Sequence, residues 1–93
     1  MGLKFAITYH EDVAREDIPK IANTWRIKIR ESVENKLVVE PEVFGKPLRR
    51  SLKGYRALRV GDYRVIFRIE KMIVKIFVIQ HRSVVYKNIE KRI

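Results

Sequence analysis

Cysteine is absent from these 93 residues, which removes disulfides, thiolate chemistry and cysteine-ligated zinc together. Long apolar runs are absent too. The first, Phe5-Ala6-Ile7, is far too short for the apolar stretch of a signal peptide, and no segment approaches the length of a membrane span. Internal repeats, low-complexity tracts and long linkers are also missing. What is scarce in one half only is acid. Residues 46–93 hold 14 Lys and Arg against 3 Asp and Glu, whereas residues 1–45 hold 7 against 8. The formal net charge of +10 therefore comes entirely from the second half. These features predict one cytoplasmic domain spanning 1–93, with a surface in its second half that faces a polyanion, nucleic acid first of all.

Hydrophobic spacing supplies the elements. In LKFAITYH, Leu3, Phe5, Ile7 and Tyr9 alternate with Lys4, Ala6, Thr8 and His10, which predicts a strand with one buried face. Asp12 is placed to cap a short helix starting near Val13. Pro19 and the following ANT predict a bend or break between residues 18 and 24. Trp25, Ile29, Val33 and Leu37 recur every four residues, the core stripe of a second helix that Pro41 and FGKP stop. Three consecutive antiparallel strands follow, then SVVYKNIEKRI as a last short helix or strand. The expected fold is α+β, with the helical hairpin packed on one face of a small twisted antiparallel sheet in the order β-α-α-β-β-β and a short last element.

The segment LRVGDYRVIFRI fixes a register. Gly61-Asp62 reads as the two-residue connection of a tight hairpin, which pairs Val60 with Tyr63, Arg59 with Arg64 and Leu58 with Val65. One face then carries Leu58, Val60, Tyr63, Val65, Phe67 and Ile69. With a second turn at Glu70-Lys71, the returning strand adds Met72, Val74, Ile76 and Val78 to it. The other face carries Arg59, Arg64, Arg68, Lys75 and His81 among Ala57, Ile66, Ile73, Phe77 and Ile79. Like charges directly opposite cost a few tenths to roughly 1 kcal/mol. An anion docked across the face would offset that cost; the plain alternative is that the long arginine stems splay into solvent.

GKPLRRSLKGYRALRVGDYRVIFRI, followed by HRSVVYK, resembles the RelE/ParE superfamily of microbial toxins from toxin–antitoxin pairs. The resemblance follows element order through the whole chain and is specific from about Gly45 to Lys87. It implies a RelE-like, microbial RNase-type fold, no cofactor, and neutralisation by a partner antitoxin. For the RelE branch it implies a ribosome-dependent mRNA endonuclease acting in the A site, and for the ParE branch an inhibitor of DNA gyrase that cuts no RNA. A degenerate, non-toxic RNA-binding relative is the third reading. Matching the RelE pattern position by position places its functional residues on Arg59, Arg64, Arg82 and Tyr86, with Arg56 or Lys53 as a further basic residue. The chain departs from that pattern in three places. Ala57 stands where RelE has a second lysine, residues 46–61 contain no acid to act as a base, and Gln80 replaces a glycine common before the His-Arg pair.

RNA cleavage by its own 2′-hydroxyl needs a base, positive charge on the phosphorane-like state and a proton donor for the leaving 5′-oxygen. Arginine suits the second task and, permanently protonated, is a poor base. Arg59, Arg64 and Arg82 are thus assigned to phosphate grip and charge stabilisation. Histidine is the side-chain type suited to proton transfer under physiological conditions, so His81 reads as base, acid, or merely a stacked or hydrogen-bonded ring. Tyr86 stacks on a base or donates a proton, or else packs at the sheet edge. Lys46, Arg49, Arg50, Lys53 and Arg56, with Arg68 on the sheet, read as contacts to an RNA backbone, against the alternative of a solvated basic loop. Tyr9-His10-Glu11-Asp12 holds one histidine beside two acids and reads as helix capping, so no metal site is assigned. A +10 chain calls for an acidic or amphipathic antitoxin, laid along the exposed sheet or the helical hairpin; ribosome and mRNA are the other expected partners.

Overall fold

A computed structural model describes residues 4–93. Leu3, assigned above to the first strand, lies outside them. The chain runs β1 (Ala6–Tyr9), a π-helical turn (Val13–Asp17) and a 3₁₀ turn (Ile18–Lys20), α1 (Asn23–Ser32) continued by a second π-helical turn (Val33–Leu37), α2 (Pro41–Phe44), and β2 (Lys46–Pro47). A 3₁₀ turn (Arg50–Leu52), β3 (Arg56–Val60), β4 (Tyr63–Glu70), β5 (Ile73–His81) and α3 (Val85–Ile89) complete it. Among the described residues, no helix is long and apolar enough to cross a membrane.

The helical break predicted around Pro19 is present. Ile21 and Ala22 are extended, and α1 starts afresh at Asn23. The first helix is capped differently from the expectation. Asp12 has helical dihedrals and no capping bond of its own; instead His10 Nδ1 accepts the Asp12 backbone N–H at 3.1 Å. His10 is the cap, and the Asp12 carboxylate pairs with Arg15 one turn on. The second helix ends at Leu37, ahead of Pro41 as expected; Pro41 itself opens the short α2, where its missing N–H costs nothing, and α2 stops at Phe44 before Gly45.

The sheet order is β1-β5-β4-β3-β2. The central hairpin pairs Val60 with Tyr63, Arg59 with Arg64 and Leu58 with Val65, the predicted register. Gly61 has φ +60, and with glycine first in the turn this is the pattern of a type II′ connection. All neighbours are antiparallel except β1, which joins β5 in parallel at the edge. Phe5 and Ile7 lie against the helical core as expected, whereas Tyr9 is exposed.

Two features move residues from their predicted faces. The β4–β5 turn falls on Lys71-Met72 instead of Glu70-Lys71, with Glu70 opposite Ile73 and Met72 exposed at the turn. A bulge then interrupts the ladder: Ile66 faces Val78, but Phe67 faces Ile76, leaving Phe77 as the extra residue. A bulge reverses the in-out alternation beyond it. Ile79 therefore joins the core under the helices, while Val78 turns to the opposite face. By the same reversal His81 pairs with Tyr63 and leaves the arginine side, which Gln80, opposite Arg64, occupies in its place.

The core under the helices packs Val13, Ile29, Val33 and Leu37 against Leu58, Val65, Phe67, Val74 and Ile76. The other face is not open along its length. Ala57, Ile66 and Val78 form a second buried cluster, covered by Leu52 and by Val85 and Ile89 of α3. Sending Val78 to that side created an apolar strip, and the last helix is what shields it.

Candidate site at the tip of the central hairpin

The basic side chains of the site are set out by the β3–β4 turn and by the end of β5. Arg59 and Arg64 face each other across the hairpin one residue behind the turn, Arg59 exposed and Arg64 half-buried. The Arg64 guanidinium bends back along its own strand, and its Nη1 donates to the carbonyls of Gly61 at 2.9 Å and Tyr63 at 3.0 Å. These bonds draw its charge toward the tip and away from Arg59. Arg82 arrives from the other side: its backbone N–H donates to the Asp62 carbonyl at 2.8 Å, and its Nε lies 3.7 Å from Asp62 Oδ1. Both partners of that ion pair are well exposed, so its contribution is small. Asp62 answers Arg82, so the Arg64 and Arg82 guanidiniums lie at one turn carrying a single carboxylate, with Arg59 opposite Arg64 in the ladder behind it.

His81 belongs to a different constellation. Its Nδ1 accepts the Ser83 backbone N–H at 3.1 Å and lies 2.8 Å from Ser83 Oγ. Since a backbone N–H can only donate, the neutral ring carries its proton on Nε2. The ring meets Tyr63 edge-on at 5.9 Å, and Tyr63 meets Trp25 at 5.5 Å. That puts His81 at the end of an aromatic row lying over the helical core. Tyr86 is 41% exposed on α3, whose flanking Val85 and Ile89 are buried.

The basic loop divides. Lys46 pairs opposite Ala57 on the arginine side, and Arg49, Arg50 and Lys53 are exposed around the 3₁₀ turn. Arg56 is committed elsewhere. It pairs opposite the core residue Phe67, and its Nη1 donates to the carbonyls of Glu42 at 3.1 Å and Gly45 at 2.9 Å, tying α2 to β3. Arg68 lies toward the far end of the hairpin, 3.3 Å from Glu70 and 5.7 Å over the Tyr55 ring. Lys75 completes this group at 2.9 Å from Glu70, and the two cations with a direct hydrogen bond hold the Glu70 carboxyl below its ordinary range. Neither Arg56 nor Arg68 is gathered into the tip.

One network escapes any reading of local pattern. Asp17 is 3% exposed. It accepts the Ile79 backbone N–H at 2.9 Å, the Gln80 side-chain amide at 2.9 Å, and two Arg92 nitrogens at 2.6 and 2.8 Å. Gln80 Oε1 in turn accepts Asn88 Nδ2 at 2.8 Å, and bonding to Asp17 raises Arg92 further above its usual range. The first helix, the end of β5, α3 and the last residues thus meet at one buried carboxylate, just behind His81 and Arg82. Partners 62 and 75 residues away in the chain leave no signal in spacing.

A small sheet with the helical hairpin on one face, a short last helix across part of the other and a basic hairpin tip defines the class of protein. Residues 9–86 match the family described as the ParE toxin of the type II toxin–antitoxin system parDE, and the chain belongs to the RelE/ParE superfamily of type II toxins. Within that class it is 37% identical to toxin RelG of Mycobacterium tuberculosis over 76 residues, 80% of this chain and 87% of that protein. To toxin RelE of the same organism it is 34% identical, over 80% and 78% of the two chains. A chain of the M. tuberculosis RelBE2 toxin–antitoxin complex superposes with a TM-score of 0.80 at 30% identity, covering 87% of this chain and 94% of that one. A chain of the RelB–RelE complex of Methanococcus jannaschii, 17% identical, shares the fold with a TM-score of 0.66 over 86% and 95%.

Proposed function

We propose that this toxin is a ribosome-dependent mRNA endonuclease, acting in the cytoplasm, which cuts message in the A site through attack by the 2′-hydroxyl and so stops translation. The observation that carries this reading is the placing of Arg64 and Arg82 against the Gly61-Asp62 turn, with Arg59 opposite Arg64 in the ladder. That tip can grip a phosphate and stabilise the charge that develops on it. Arg64 is preorganised by its two carbonyl bonds, while exposed Arg59, and Arg82 on exchanging its weak pair with Asp62, close on substrate. Tyr86, exposed on α3, is the stacking or proton-donating partner. Lys46, Arg49, Arg50 and Lys53 hold the RNA backbone further out. His81, with Nδ1 already accepting from Ser83, is poorly disposed as a base and better disposed as a donor or a stacking ring.

The chain is neutralised by a cognate antitoxin, as the similarity to toxins of known antitoxin complexes supports. Its strong positive charge calls for an acidic or amphipathic segment in that partner. Toe-printing with purified ribosomes tests the catalytic reading: the wild type cuts ribosome-bound message and leaves free RNA nearly intact, and Arg64→Ala loses at least a hundredfold in rate, as removal of one preorganised charge donor does. An equal cut by Arg64→Ala removes the assignment.

The description of the matched family, a ParE toxin, favours a second reading, in which the chain inhibits DNA gyrase. Blocked supercoiling with intact message would decide for it.

A further inference from the structure

Beside the hairpin tip, a cavity of about 220 Å³ opens between the end of β5, the Ile18–Lys20 turn and the start of α3. We propose that this cavity receives one nucleobase of the message and sets which nucleotide is accepted next to the cut. The inference rests on the RNA-cleaving reading above and adds to it a site of selection separate from the arginines.

The bulge in β5 makes the cavity. By reversing the alternation it brings Ile79 and His81 to the side of Tyr63, so that an apolar floor and two rings adjoin. Ile21 and Ile79 supply the floor. The edge-to-face pair of Tyr63 and His81 supplies a wall on which a planar ring can lie. Single-stranded RNA is read in this way, by stacking on aromatic side chains combined with hydrogen bonds to the base edges.

The polar side of the cavity has a fixed orientation. Asp17 is held by Arg92 and accepts from the Gln80 amide nitrogen, so the Gln80 oxygen must point to Asn88, whose nitrogen donates to it. Each amide nitrogen keeps a second hydrogen, and the Asn88 oxygen keeps its lone pairs. Neutral donors beside an acceptor match the edge of a base. Lys20, exposed at the rim, and Arg82, on the adjoining strand end, are placed for the phosphates on either side. The volume lies below the range of about 300–1,000 Å³ typical of sites for drug-sized ligands, which suits a single ring system.

The experiment measures cleavage by purified ribosomes programmed with messages that vary each nucleotide of the A-site codon. Val84 lies at the mouth of the cavity and is 41% exposed, so Val84→Trp fills the opening without disturbing the core; Asn88→Ala removes the acceptor. Both variants are expected to shrink the ratio of cutting between the best and worst codons by about fivefold or more, the low end of what one stacked base contributes. Circular dichroism and melting confirm that each variant is folded, and Val84→Trp serves alone if Asn88→Ala is not. A ratio unchanged in the folded variants overturns the proposal. Weakened binding to the co-purified antitoxin, with the ratio intact, gives the cavity to a protein side chain instead.

A wild type that cuts nothing sinks the cleavage reading alone. The cavity is then tested by NMR titration with 5′-mononucleotides. Shifts of the Asn88 side-chain amide and the Ile79 methyls, lost in Val84→Trp, support it, and no shift overturns it.

Discussion

Gly61 shows how much one residue carries at the hairpin tip. Its φ of +60 lies in the left-handed region, and a Cβ added there would sit 2.3 Å from the Trp25 ring. Backbone strain of about 1–2 kcal/mol and overpacking of about 1–3 kcal/mol then act together. Gly54 is the internal control, with φ +95 and nothing among the described residues within 4 Å of an added Cβ. Gly61→Ala should lower the urea midpoint clearly more than Gly54→Ala does; equal losses would mean that the Trp25 contact contributes nothing. Glu70 gives a prediction in pH. Lys75 and Arg68 hold its carboxyl below the ordinary value of 4.5. A depressed carboxylate stabilises the fold above its unfolded value, and that contribution disappears as pH falls through the folded one. Compared with Glu70→Gln, the wild type should therefore lose additional thermal stability as pH drops below about 4.5, and the two should run in parallel above neutrality.

Among the elements, legibility followed the range of the interactions that set them. The β3–β4 register was readable because a two-residue turn with glycine fixes it locally. The break at Pro19 and the stripe from Trp25 to Leu37 were readable for the same reason. The bulge was not. In IVKIFVIQ both faces are largely apolar, so no alternation betrays an extra residue, and Val78, Ile79 and His81 were accordingly assigned to the wrong sides. Of the site, the arginines at the tip were legible and the carboxylate behind it was not. Asp17 and Arg92 form a buried, bidentate pair that also satisfies the Ile79 N–H next to the bulge. Removing one partner of such a pair costs about 3–5 kcal/mol because the other is left buried and uncompensated. Asp17→Ala should approach that loss in urea denaturation. The combined replacement Asp17→Leu with Arg92→Met should recover much of it, and failure to recover would assign the loss to the Ile79 and Gln80 bonds.

For the whole molecule, the uneven charge determines how it meets its target. Residues 46–93 form the sheet hairpins, the basic loop and α3, and they hold 14 cationic side chains against 3 acids. Inside that surplus the fold distinguishes cations that are spent from those that are free. Arg56, Arg68, Lys75 and Arg92 are bound to carbonyls or carboxylates of the chain itself, whereas Arg59 stands exposed and Arg82 is held only by its looser, exposed pair with Asp62 at 3.7 Å. Binding to single-stranded RNA releases about 0.7 counterion per phosphate neutralised. If Arg59, Arg64 and Arg82 are the cations that close on the backbone, the logarithm of affinity for a short non-cleavable RNA should fall with the logarithm of salt at a slope of about −2. Arg59→Ala and Arg82→Ala should each flatten that slope by about 0.7, while Arg68→Ala, whose charge Glu70 already answers, should leave it nearly unchanged. A slope that responds equally to all three would show that the surplus acts as a diffuse field, and the tip would lose its claim to be where the phosphate sits.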